Sequence, residues 1–283
     1  MSIQFTSRVI FKGIVRDLKS FFRYKGFLLG WLLETISMIL GFLVIGGAYY
    51  FSPTVLNMSG LAEGSIFLFL ISGTAVQMFA GISTWAPLMR VEDDIHFGTL
   101  EAIFVTPATR LGYLLSTTIS RAIVSTIFFI PVYIVTLIVA GALTNFAIIG
   151  FTLLIALVTI ISNIATGLFF GMLAMIFRQT RLLVSVLHQL IMFVCGAYLP
   201  VQGFLAINPI VGNILKYFAM SLPFTYCFDL MRSFLLPNNY IPLVPIWMGF
   251  VILFSLTIFY IILARLMLIP VERKAKKSGL SIL

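Results

Sequence analysis

Six long apolar runs, separated by short polar segments, set the plan of the chain: residues 27–50, 65–89, 111–140, 146–177, 182–201 and 241–269. A helix needs about 20 apolar residues to cross the hydrocarbon of a bilayer, so each run predicts a transmembrane helix. The third and fourth are long enough to tilt or to project beyond the membrane. Ahead of the first run the pattern changes. At about 100° per residue, Arg8, Lys12, Arg16, Lys19 and Arg23 fall within an arc of roughly 80°, with Ile10, Ile14, Leu18 and Phe21 centred on the opposite side. This spacing predicts an amphipathic helix that sinks one face into the membrane interface. A free basic arm is the alternative.

Two polar interruptions stand out. Segment 90–110, between the second and third runs, holds Glu92, Asp93, Asp94 and Glu101, four of the nine acids in the chain. A chain otherwise built for lipid thus exposes an acidic, helix-forming loop. Between the last two runs, Pro209 and Pro223 break helices and favour a folded hairpin over 207–236 instead of a seventh span. Asp229 and Arg232, three residues apart, can pair along one helix face and brace that hairpin. Solvation of both charges in an ordinary external loop is the alternative.

Composition narrows the class. With 61% hydrophobic and 10% charged residues the chain has too little polar surface for a soluble domain. Lys and Arg near span ends are retained on the cytoplasmic side. With six spans and both termini inside, all 18 cations except Lys216 and Arg232 fall on that side. The expectation is a multi-pass protein of the cell membrane. Its net charge of +9 then reflects topology and contact with anionic lipids, and a nucleic-acid partner has no support. The first run is too long for the core of a secretory leader and is expected to stay as an anchor.

The acids of segment 90–110, followed by Gly98, Thr99, Leu100 and Glu101 and then by Thr106 and Pro107, resemble the cytoplasmic coupling segment of ABC-2 type transporter permeases. The amphipathic N-terminus is similar to their elbow helix. Pro223, Tyr226, Asp229 and Arg232 match the Pro, Tyr, Asp and Arg series of their external re-entrant helices. The three features occur in the family's order over nearly the whole chain. The resemblance implies an all-α integral membrane protein with six transmembrane helices, an N-terminal interfacial amphipathic helix, a cytoplasmic coupling helix and an external re-entrant helical hairpin. The expected divisions are an elbow at 1–25, a transmembrane domain at 26–269 with its coupling loop at 90–110 and re-entrant segment at 206–236, and a basic cytoplasmic tail at 270–283.

It also implies a function: a permease subunit of an ATP-driven exporter, pairing with a second permease copy and with separate ABC ATPase subunits. No Gly-x-x-x-x-Gly-Lys-Ser/Thr phosphate loop occurs in the chain, so ATP and Mg are expected on the partner and no cofactor on this chain. Glu92 and residues Phe97 to Leu100 would serve coupling, together with Glu101, Phe104, Thr106 and Pro107. Within that helix Phe97, Leu100 and Phe104 recur at spacings of three and four and would fill a groove on the ATPase, with Glu101 at its edge.

In related exporters the second and fifth spans line the central cavity, which here points to Thr74, Gln77 and Phe79 from one and His188, Gln189, Met192 and Phe193 from the other. Their mixture of aromatic, Met and uncharged polar groups suits an amphipathic or hydrophobic substrate. Hydrogen bonding between helices is the alternative. Glu34 and Arg121 lie at similar depth and are expected to pair, because lone charges there are expensive; otherwise Arg121 snorkels and Glu34 is protonated or meets the elbow. Asn163, Gly167 and Gly171 form a small-residue stripe that admits a close helix, in this chain or a second copy. Cys195 and Cys227 read as buried thiols, with a disulfide as the alternative, and neither His96 nor His188 has acids at metal-ligand spacing.

Two other functional classes compete. An ion-driven secondary transporter wants an intramembrane acid and usually a repeated half; only Glu34 offers the first and no repeat is visible. A membrane scaffold without transport would leave the acidic loop and the hairpin unexplained. The substrate class stays open between drugs, lipids, peptides and polysaccharides.

Overall fold

The computed structural model describes residues 3–48, 51–98, 110–175, 180–206 and 208–278. All regular structure among them is helical. Helix α1 (Ile3–Arg23) is amphipathic as its spacing predicts. Arg8, Lys12, Arg16, Lys19 and Arg23 are exposed, while Ile10, Ile14, Leu18 and Phe21 are half-buried. Helix α2 (Lys25–Ala48) follows after a single residue, and a short α3 (Pro53–Ser59) ends at Gly60, whose φ of 66° permits the left-handed turn.

The second apolar run forms two helices, α4 (Ile66–Ser83) and α5 (Trp85–His96), with a break at Thr84. Pro87 supplies the reason, since it has no N–H to give the carbonyl of Ser83 one turn earlier. The third and fourth runs form α6 (Arg110–Val139) and α7 (Phe146–Ala174). The side chain of Asn145 caps α7 by accepting from the amides of Ala147 and Ile148.

The fifth run departs from expectation. Its helix, α8 (Thr180–Val194), has 15 residues, about 22 Å of rise, and stops where Gly196 adopts a φ of 96°. A 3-10 helix at Val201–Ala206 leads into α9 (Pro209–Met220) and α10 (Pro223–Leu235), followed by α11 (Ile246–Ser278). Among the described residues, four segments are long and apolar enough to cross a membrane: Ile66–Asp94, Leu111–Val139, Phe146–Leu173 and Ile246–Ile269, with Leu29–Val44 as a shorter apolar helix. Among the described residues, four of the six expected spans are thus matched by segments of full spanning length.

Helices α4 and α10 form the interior. Thirteen of the 18 residues of α4 are buried, as are 12 of the 13 residues of α10; both pack against α7. Large apolar side chains on α2, α7 and α11, such as Leu33, Leu157 and Phe254, remain exposed, as a surface that faces lipid requires.

The stripe on α7 meets this same chain. Asn163 accepts a hydrogen bond from Ser83 at 3.2 Å. A Cβ at Gly167 would sit 2.8 Å from the carbonyl oxygen of Ile82, and one at Gly171 would sit 2.9 Å from Pro87. The small residues let α7 press against the α4–α5 break.

Candidate functional site

A cavity of about 940 Å³ opens between α1 and α2 on one side and α4, α5, α6 and α8 on the other. Its walls follow from helical spacing. On α2, Trp31, Glu34, Thr35 and Met38 recur at three- and four-residue steps and share one face. On α5, Trp85, Met89 and Asp93 do the same, beside Ala86 and Arg90. Gln77, Met78 and Gly81 come from α4, Thr117, Ser120, Arg121 and Val124 from α6, and His188 and Gln189 from α8, with Tyr198 beyond its end.

Three of the expected path residues therefore meet here: Gln77, His188 and Gln189. Gln77 donates to the Tyr198 hydroxyl at 3.1 Å, joining two lining residues of the cavity. His188 is hydrogen-bonded to Thr84 at 3.1 Å and its ring lies 5.9 Å from that of Trp85, which fixes α8 to the α4–α5 break. The other four path residues point elsewhere. Thr74 is buried and donates to its own helix at Leu70, Phe79 packs against Phe129 at 4.8 Å, Met192 is buried and Phe193 is exposed and meets Tyr198 from outside the lining. Hydropathy identifies the spans, but the face of each helix that meets the cavity is set by tertiary packing.

Glu34 and Arg121 both line the cavity, yet no ion pair joins them within 4.0 Å. Arg121 instead stacks on Trp31, its Cζ 4.2 Å from the ring centroid, and feels Glu34 as a charge at longer range. The expected pair is thus a pair of facing charges with the indole ring beneath one of them.

At the wall formed by α5, Arg90 meets Asp94 at 2.8 Å and Asp17 of α1 at 4.0 Å. Tyr113 of α6 donates a hydrogen bond to Asp94. Three helices are thereby tied together at the start of the acidic segment, whose first three acids lie on α5. Gly13 of α1 adds a close contact, since a Cβ there would lie 2.7 Å from Ser116 of α6. Helix α5 ends at His96, with Gly98 at a φ of 65°. Phe97 is exposed and Glu92 is half-buried. The remaining coupling residues, Thr99, Leu100, Glu101, Phe104, Thr106 and Pro107, lie outside the described residues.

Segment 208–236 folds as two helices, α9 and α10, and its two charges bond to other partners. Pro223 occupies the first turn of α10, and Tyr226 donates to the carbonyl of Met220 at 3.1 Å, closing the α9–α10 turn. Asp229 accepts from the Tyr240 hydroxyl at 2.7 Å and from the Leu243 amide at 3.1 Å. Arg232 donates to the carbonyls of Gly196, of Ala197 at 2.8 Å and of Phe69 at 3.3 Å. Each charge holds a different neighbour, because full burial leaves both in reach of backbone groups that would otherwise be unsatisfied. Cys195 and Cys227 are free, buried thiols.

Sequence spacing alone does not single out Trp31, Trp85, Tyr198 or Tyr240. The signal for the first was present: Trp31 shares a stripe on α2 with an acid, Glu34, and a hydroxyl, Thr35. For Tyr198 and Tyr240 the partners are too distant in sequence to be read from it.

No curated protein matches the chain. The family model for the ABC-2 type transporter matches residues 13–236, from the middle of α1 to the end of α10. With that match over more than half its length and this arrangement of apolar helices, the chain belongs to the ABC-2 type transporter family, as a transmembrane permease of an ABC transporter.

Proposed function

We propose that the protein is the permease subunit of an ATP-driven exporter, acting as a dimer with separate ABC ATPase subunits that bind ATP and Mg, in the cell membrane with both termini cytoplasmic. One observation carries the mechanism: α5 lines the cavity with Trp85, Ala86 and Met89 and runs from there into the acidic loop. A rigid helix with one end at a docking loop and the other at a cavity wall acts as a lever. The ties from Arg90 to Asp17 and Asp94, and from Tyr113 to Asp94, couple α5 to α1 and α6, so displacement of the loop would carry three walls together. The hairpin, packed on α4 through Arg232 and Phe69, would hold the opposite end of the cavity and govern exit.

Inside-out vesicles containing the protein and its ATPase test this reading against an ion-driven transporter. Uptake of substrate that requires ATP and survives collapse of the ion gradients is the expected result. Uptake that stops with an ionophore and ignores ATP would replace it with secondary transport.

A further inference from the structure

We propose that the cavity binds an amphiphile with an acidic head, phosphate or carboxylate, through Arg121. This rests on the reading of the cavity as the transport site and names its ligand class. Arg121 lines the cavity and stacks on Trp31, and it makes no hydrogen bond and no ion pair within 4.0 Å among the described residues. Its Nε is fully buried and has no partner. A guanidinium carries five donors in a planar fork that matches the oxygens of a carboxylate or phosphate, and leaving them unmade away from water is costly.

The other cation of the cavity differs: Arg90 is already engaged by Asp94 at 2.8 Å. Glu34 faces Arg121 from the opposite wall without reaching it. It balances the guanidinium at long range while leaving its donors open. The apolar part of the ligand has a surface to meet, since Met38, Met78 and Met89 line the same cavity from three helices. Unbranched thioether side chains adapt to irregular chains. A free anion would leave that surface unused, and an amphiphilic cation would meet Arg121 with like charge.

The test uses the permease alone, in phosphatidylcholine nanodiscs, with Trp85→Phe and Trp247→Phe so that Trp31 reports binding beneath Arg121. Dodecyl phosphate, dodecyl trimethylammonium and inorganic phosphate are titrated in turn. Dodecyl phosphate is expected to bind on the order of tenfold tighter than either of the others. Arg121→Gln should remove that preference, Arg121→Lys should keep part of it, and Glu34→Gln should strengthen dodecyl phosphate binding by removing the facing acid. Binding of the cationic amphiphile as tight as that of dodecyl phosphate would overturn the proposal, as would equally tight inorganic phosphate or an Arg121→Gln variant with its preference intact. If Arg121→Gln does not fold, Glu34→Gln decides: unchanged or weaker binding overturns the proposal. Because no ATPase is present, failure here leaves ATP-driven transport standing, and loss of ATP dependence in vesicles leaves the binding result standing.

Discussion

Arg232 of α10 lies over the ring of Phe69 of α4, its Cζ 3.6 Å from the ring centroid, and this contact joins the two most enclosed helices of the fold. The room for it comes from Gly73, where a Cβ would lie 2.6 Å from the Arg232 Nη2 and 2.5 Å from the Ala197 carbonyl oxygen. Truncating the guanidinium would leave the Gly196 and Ala197 carbonyls unsatisfied. Arg232→Gln should therefore destabilise the protein by about 3 kcal/mol, read as a drop of roughly 6 °C in Tm in detergent. Gly73→Ala should lower Tm in the same direction, and a Tm equal to that of the parent in both variants would remove Arg232 as the link.

Asp229 and Tyr240 are expected to behave as one unit. In a double-mutant cycle, Asp229→Asn and Tyr240→Phe should show a coupling energy of about 1 kcal/mol or more, because each loses the same 2.7 Å hydrogen bond. The cycle between Asp229→Asn and Arg232→Gln should couple more weakly, since those two side chains bond to different elements. The reverse order would restore a direct Asp229–Arg232 brace.

Gly167 reports on the α4–α5 break. A methyl group there meets the backbone at Ile82 and Ser83, at 2.8 Å and 3.0 Å, and backbone yields little. Gly167→Ala should cost about 1 to 3 kcal/mol by overpacking, and Gly150→Ala, with open space at its Cβ, should cost nothing measurable by the same thermal assay. Equal tolerance at both sites would argue against a close α7 contact.

The tie at α5 predicts uncoupling. Tyr113→Phe removes the hydrogen bond to Asp94 while keeping the ring, so the loop can still dock an ATPase but no longer drags α6. ATP hydrolysis by the complex should persist while ATP-dependent transport falls several-fold. Transport and hydrolysis lost together would mean that Tyr113 supports folding or docking and not the lever.

Much of this was legible from residue pattern alone. The cation and apolar faces of α1 follow from its 3.6-residue period, and the separate starts of α9 and α10 follow from Pro209 and Pro223. The helix of the fifth run ends earlier than hydropathy suggests, because Gly196 and Pro200, two helix breakers, fall within 182–201 and the chain turns there. Asp229 and Arg232 read as a pair because local spacing is all a sequence displays. Their partners, Tyr240 and Leu243 for one and Gly196, Ala197 and Phe69 for the other, are brought near only by packing. The Trp31–Arg121 stack is of the same kind, with 4.2 Å of separation joining two different helices.

The most direct measurement is ATP hydrolysis in the tagged protein purified from its own membranes, for the parent and for Glu101→Arg. An ATPase subunit is expected to copurify with the parent and hydrolyse ATP, and Glu101→Arg should lose both the subunit and the activity while inserting normally into the membrane. A parent protein that transports with no ATP-hydrolysing subunit attached, or a Glu101→Arg variant that keeps its ATPase and its coupling, would contradict the account.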